Sequence, residues 1–413
     1  MTSLERTSPT AWIGAELASL KEQSLLRVSY EIEHRFGCEI SLGGRKLLLA
    51  ASNDYLGLST DPRVREAAAE AARRWGGGSS ASPLVSGYSE LQSQLESEIA
   101  SFKRCDDCVV FSSGYLANIG TITALVGKGD VVFSDELNHA SIIDGCRLSG
   151  AEIRIFRHSD PENLDTLAKK GGYRRGLIVT DGVFSMDGDL ADLPAITEVA
   201  ERYSLMTMVD DAHGTGVVGP TGRGTAEETG LEGQIDIVMG TLSKALGSAG
   251  GFVCGSSDIV SWIRNRARSF IFDTAPAPAA LGAARVALRI AEEEEWRRER
   301  LRSMRDEITR SLSAEGIELP ALAAAIVPLV IGDAERALRA ADYLRELGVF
   351  APAIRPPSVP EGTSRIRLSL MATFDNSHRE LLVTAVTELA RRYMTEPAAP
   401  VCGATGLKGT NTS

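Results

Sequence analysis

Between about residue 60 and residue 255 the chain alternates short, wholly apolar runs with stretches of helical periodicity. The runs are "CVVFSS", "DVVFSD", "RGLIVTDGVFS", "LMTMVDDAHG", "DIVMGTLSK" and "GFVCG"; "GYLANIGTITALV" and "LPAITEVAERYS" stand among the stretches between them. A strand that is apolar at every position, not every second one, is buried on both faces. A parallel sheet sandwiched between helices supplies that burial. In such a sheet ligands bind beyond the carboxyl ends of the strands, so the residues that end each run are the first candidates for chemistry.

At 413 residues the chain exceeds what one hydrophobic core holds. The reading divides it into a helical arm and short strand (1–52), a large α/β domain (53–285), a small α+β domain (286–396) and a disordered tail (397–413). Within the arm, residues 12–36 read as helix. The net charge of −11 argues against a nucleic-acid partner. No apolar run approaches the length of a membrane span, and the N-terminus lacks a signal-peptide pattern, so a cytoplasmic protein is expected. The six cysteines read as reduced thiols. "CDDC" (105–108) has no second pair to complete a metal site, and its two thiols read as incidental residues before a strand.

Three strand ends carry the chemistry. "MTMVDDAHGTG" closes a buried strand with Asp210, Asp211 and His213. "VFSSGYLANIG" runs from strand through a Ser/Gly turn into a helix whose first amides, at Gly114 and Tyr115, suit a phosphate. "DELNHASIIDG" sets His139 at another strand-to-helix turn. In "VMGTLSKALGSAGGF" a single lysine, Lys244, stands among small and apolar residues, where a free ammonium would be costly to bury. Pyridoxal 5'-phosphate answers all four features. Its aldehyde takes the lysine, its ring nitrogen wants a carboxylate, its phosphate wants backbone donors and its ring wants a stacking partner.

The ordered stretches "SNDYLGLS", "LVSGYSELQSQLE", "SSGYLAN", "NHASIIDG", "DGVFSMDGD", "VDDAHGTGVVGPTGRG", "TLSK" and "PPSVPEGTSRIRLSL" resemble the α-oxoamine synthases. These are pyridoxal-phosphate enzymes of the aspartate aminotransferase-like fold (fold type I), and the resemblance runs from about residue 20 to 395. It implies a large, mainly parallel sheet domain and a small α+β C-terminal domain. The reaction implied is decarboxylative condensation of an amino acid, L-alanine foremost, with a pimeloyl thioester carried by CoA or a carrier protein. It would run through aldimine and quinonoid intermediates. Other members pair glycine or serine with other acyl groups.

The resemblance makes Lys244 the Schiff-base lysine and Asp210 the partner of the ring nitrogen. His213 and Ser185 would reach the phenolic oxygen, and His139 would stack on the ring. Gly114, Tyr115 and Thr241 would hold the phosphate. Arg367 would take the amino-acid carboxylate, and Arg27, Asn53 and Ser358 would lie near the acyl group. Thr274 would reach the phosphate of a second subunit, which implies a homodimer with shared active sites. Asp181 stands where the family usually has Glu.

Overall fold

The computed structural model describes residues 8–394. The tail expected over 397–413 lies outside the described residues. The six runs that opened the sequence reading, with a seventh strand over Glu152–Phe156, form one sheet in the order β4-β10-β9-β8-β7-β5-β6. Its strands are β4 (Asp107–Phe111), β5 (Val131–Asp135), β6 (Glu152–Phe156), β7 (Gly176–Asp181), β8 (Met206–Asp210), β9 (Ile237–Thr241) and β10 (Gly251–Gly255). β5, β6, β7, β8 and β9 pair in parallel, while β10 runs antiparallel between β9 and β4. Two reversals restore the direction of β4. Phe111, Asp135, Asp181, Asp210 and Thr241 therefore all end strands on one edge of the sheet.

The apolar runs are buried as their composition demands, and separate apolar clusters fill the two faces. The exception is the edge strand β6, whose Ile153 and Ile155 are exposed. The helices Pro62–Trp75 and Pro278–Glu293 pack closely on each other. A Cβ on Gly282 would lie 2.6 Å from the Ala71 Cβ, so only glycine allows that approach.

A second sheet joins β1 (His34–Phe36), β2 (Glu39–Leu42) and β3 (Arg45–Leu49) to β12 (Val349–Phe350). A third contains β11 (Ile326–Gly332), β14 (Ser364–Ser369) and β13 (Ala353–Ile354), all antiparallel. β14 also meets the second sheet, since the Ser369 amide bonds the carbonyl of Ala50, the residue after β3.

The N-terminal arm corrects the sequence reading. Its helix covers only Ala11–Glu22 and no helix extends toward residue 36. That helix buries no residue, so no apolar face is there to stabilise a longer one. Cys108 also lies within β4, not before it, and is the register partner of Cys254.

Candidate active site

The common strand edge opens into a cavity of about 270 Å³. Each wall follows from a local sequence device. Ser113 caps the helix Gly114–Leu125 by accepting from the Leu116 amide, and its carbonyl takes the Ala117 amide. Among the described residues, no capping bond is made to the Gly114 and Tyr115 amides of that first turn, and both residues line the cavity. Glycine is required at 251, because a Cβ there would lie 2.5 Å from the Gly114 Cα. Thr241 lines the same wall. Its hydroxyl donates to the Gly250 carbonyl at 2.8 Å and lies 2.7 Å from the Ser243 hydroxyl. Serving an anion would mean turning that proton away from the carbonyl.

Asp210 ends β8 and is buried. It accepts from Asn118 Nδ2 at 2.7 Å and from the Ala212 amide at 2.9 Å. Among the described residues it makes no direct ion pair. A buried carboxylate supported only by neutral donors calls for a cationic partner, and a protonated pyridine nitrogen is such a partner. Asp181, at the end of neighbouring β7, accepts the His139 amide at 2.7 Å. Burial, then the closeness of Asp210, pushes the Asp181 carboxyl well above its ordinary range. His139 is the N-cap of the helix Ala140–Ser149 and lines the cavity, with Nδ1 2.7 Å from the Ser141 hydroxyl. Desolvation lowers its pKa and Asp210 opposes that.

Lys244 follows β9. Its Nζ lies 2.8 Å from His213 Nε2. Desolvation lowers its pKa to about 8, with Asp210 and Asp181 pulling it up and Arg367 pushing it down. His213 is buried, and desolvation followed by the charges of Lys244, Arg367 and His139 holds it well below its ordinary value. Its Nδ1 lies 2.7 Å from the Tyr55 hydroxyl. Arg367 on β14 donates from Nη2 to Asn53 Oδ1 and to the Tyr55 oxygen, both at 3.1 Å. No carboxylate pairs with Arg367 among the described residues, and its buried Nε has no partner. Its charge is felt at the lysine.

The remaining sequence candidates lie elsewhere. Arg27 donates to the Ser358 hydroxyl at 3.1 Å. Ser358 and Ser185 line a second cavity of about 330 Å³ together with Arg365. Arg365 shares the register of Arg367 but is a buried strut, donating to Asp187 and to the Met186 carbonyl. Thr274 is exposed and lines neither cavity of its own chain.

Sequence reading passed over Tyr55, Asn118 and Ser141. Asn118 was visible in "SSGYLAN", four residues past Gly114 and so on the same helix face. It also passed over the partner of Asp211. Lys103 donates to Asp211 Oδ2 at 2.7 Å and to Thr215 Oγ1 at 2.8 Å, while the Thr225 amide and hydroxyl hold Oδ1. This buried pair anchors the turn that carries Asp210 and His213.

Fold and site together define a pyridoxal-phosphate enzyme of fold type I. The family model for aminotransferase class I and II matches residues 45–386. The chain belongs to that family and, within it, to the α-oxoamine synthases, as a pyridoxal-phosphate-dependent C-acyltransferase. It is 48% identical over 387 residues to a putative 8-amino-7-oxononanoate synthase of Gloeobacter violaceus, covering 93% of this chain and 99% of the relative. With the 8-amino-7-oxononanoate synthase of Geobacter sulfurreducens it shares 47% identity over 385 residues, 92% of this chain and 98% of the relative. Among solved structures, a serine palmitoyltransferase from S. paucimobilis with a bound PLP–myriocin aldimine superposes with a TM-score of 0.88 at 32% identity, covering 93% and 98% of the two chains. An 8-amino-7-oxononanoate synthase from Francisella tularensis gives 0.73 at 27% identity, covering 84% and 98%.

Proposed function

We propose that the protein condenses L-alanine with a pimeloyl thioester, on CoA or a carrier protein, to give 8-amino-7-oxononanoate, CO₂ and the free thiol. The observation that carries this reading is the Arg367 guanidinium, without a carboxylate partner among the described residues, near a buried lysine whose pKa is lowered to about 8. Together they offer an amino acid a carboxylate clamp and a base at its Cα. The names of the relatives at 47–48% identity support the acyl choice.

When bound, pyridoxal phosphate supplies an electron sink for the carbon that loses its proton. The chain's own residues do the rest. Lys244 holds the cofactor and moves the proton at Cα. Asp210 keeps a ring nitrogen protonated, with Asn118 keeping its carboxylate aimed. His139 covers the ring and His213 serves the phenolic oxygen, with Ser185 reaching it from the wall of the second cavity. The Gly114 and Tyr115 amides and the Thr241 hydroxyl bind phosphate, and Thr274 serves the site of a second copy. Arg367 orients the α-carboxylate, a task for which its planar fork is better shaped than a lysine. Asn53, Arg27 and Ser358 mark the path of the acyl group into the second cavity. The arm (1–52), large domain (53–285) and small domain (286–396) meet at this path, in a cytoplasmic homodimer.

A second reading takes a longer acyl chain, because the serine palmitoyltransferase superposes with the higher TM-score. Purified protein given alanine, glycine or serine with acetyl, succinyl, pimeloyl and palmitoyl thioesters, and analysed by mass spectrometry, separates the two. The expected dominant product is 8-amino-7-oxononanoate. A faster reaction of serine with the palmitoyl thioester overturns the first reading.

A further inference from the structure

We infer that Tyr55 is a positioning residue that selects which nitrogen of His213 carries the proton. The inference rests on the reading above, in which His213 serves the phenolic oxygen of pyridoxal phosphate.

Tyr55 is fully buried, and its hydroxyl meets three groups. It lies 2.7 Å from His213 Nδ1 and 3.1 Å from Asn53 Oδ1, and it accepts from Arg367 Nη2 at 3.1 Å. A phenol has one proton. It can go to Asn53 or to His213, never to both.

The imidazole also has one proton to place. The charged or titratable groups facing it are Lys244 after β9, Arg367 on β14, His139 at its helix start, and Tyr55 itself. Burial, then the charges of Lys244 and Arg367, keep His213 neutral. With Lys244 donating to Nε2 across 2.8 Å, the imidazole proton sits on Nδ1 and points at Tyr55. Tyr55 then donates to Asn53. If Nε2 must instead donate to a phenolic oxygen, Nδ1 becomes an acceptor, and Tyr55 turns its proton from Asn53 to His213. Arg367 donates to both Asn53 and Tyr55 in either state, so neither oxygen loses its partner. The exchange needs only a hydroxyl rotation and a proton shift. A phenylalanine at 55 fills the same space but can neither give to Nδ1 nor take from it, so the Nε2–H form loses its donor at Nδ1 and only the group at Nε2 still biases the tautomer.

The test uses the full chain with bound pyridoxal phosphate. Borohydride reduction and peptide mass mapping first establish the cofactor on Lys244; no adduct there sinks the underlying reading. Given the adduct, the visible band is titrated with pH. A donor on the phenolic oxygen lowers the midpoint, so Tyr55→Phe should raise it by about one unit, a tenfold change in the equilibrium. In a His213→Asn background the same change should add nothing. Nitrogen-15 spectra of labelled histidine should show His213 as the Nε2–H form in the parent and as a mixture in Tyr55→Phe. In cofactor-free protein, Asn53→Ala removes the phenol's other acceptor and should move His213 toward the Nε2–H form. An unchanged midpoint and tautomer in Tyr55→Phe overturns the inference, and so does an equal shift in the His213→Asn background.

Discussion

At the scale of single residues, the chemistry turns on how Lys244 is kept available. An ordinary lysine near 10.5 offers about 0.3% free amine at pH 8, whereas a pKa of about 8 offers half. Desolvation causes the shift, and Asp210 and Asp181 limit it. The sign of the linkage follows. The folded pKa lies below the unfolded one, so the fold pays its penalty fully below pH 8 and is relieved as pH rises toward 10.5. In cofactor-free protein, the rate of pyridoxal phosphate capture should therefore rise with pH to a midpoint near 8 in stopped-flow absorbance. Lys244→Met should stabilise that cofactor-free chain by about 1–3 kcal/mol at neutral pH, and by progressively less up to pH 10.5. A capture midpoint near 10.5 would show that burial does not tune this amine. Lys244, Asp210 and His213 were legible in the sequence because each closes an apolar run. Tyr55 was not, because its partner stands 158 residues away and local periodicity carries no record of such a contact.

Among the elements, the turn after β7 that carries Ser185 depends on a histidine from another loop. Val183 and Leu190 close the turn by a bridge. His158, beyond β6, reaches Asp135 Oδ1 at 3.1 Å through Nδ1 and Asp189 Oδ2 at 2.9 Å through Nε2. Its ring stands edge-on to Phe184 at 4.3 Å. Burial opposes the charged imidazole, but the bonds to Asp135 and then Asp189 outweigh it and raise the pKa to about 10. Both nitrogens then donate, and one cation ties the ends of β5 and β6 to the turn after β7. The folded pKa lies above the unfolded one, so this stabilisation is complete below about pH 6.5 and is lost as pH rises through 10. His158→Gln should cost roughly 2–4 kcal/mol at pH 6 in urea unfolding, and the gap to the parent should close by pH 10.5. A gap that stays constant with pH would mean that the imidazole only packs. None of this clamp was readable from sequence, since "FRHSD" looks like a polar loop. The strands that it joins were readable, because unbroken apolar runs have few other places to go. The arm was misread for the opposite reason: a helical pattern with nothing to pack against predicts more helix than forms.

At the scale of the whole molecule, an apolar patch lies in water next to the site. Leu84 is 58% exposed, Val85 80%, Leu148 66% and Phe272 69%. They belong to neighbouring segments. The Ala275 amide bonds the Ala81 carbonyl at 3.0 Å, and Leu148 and Phe272 line one cleft. A hydrogen bond from Ser112 to Asp273 ties this strip to the turn before Gly114, so whatever covers the face also steadies the phosphate end of the cavity. Solvated apolar side chains gathered in this way are what an interaction surface would look like. The proposed occupant is a second copy, which would bring the exposed Thr274 against a neighbouring site. The parent should then sediment at twice 44.1 kDa. The double variant Val85→Glu with Phe272→Glu places carboxylates in the buried centre of that contact, where each costs several kcal/mol unless paired. It should sediment as a folded monomer, hold pyridoxal phosphate at least tenfold more weakly, and lose turnover. A parent that sediments at 44.1 kDa, or a double variant that stays dimeric with full cofactor retention, would show that the apolar face and the phosphate turn are not joined through a second chain.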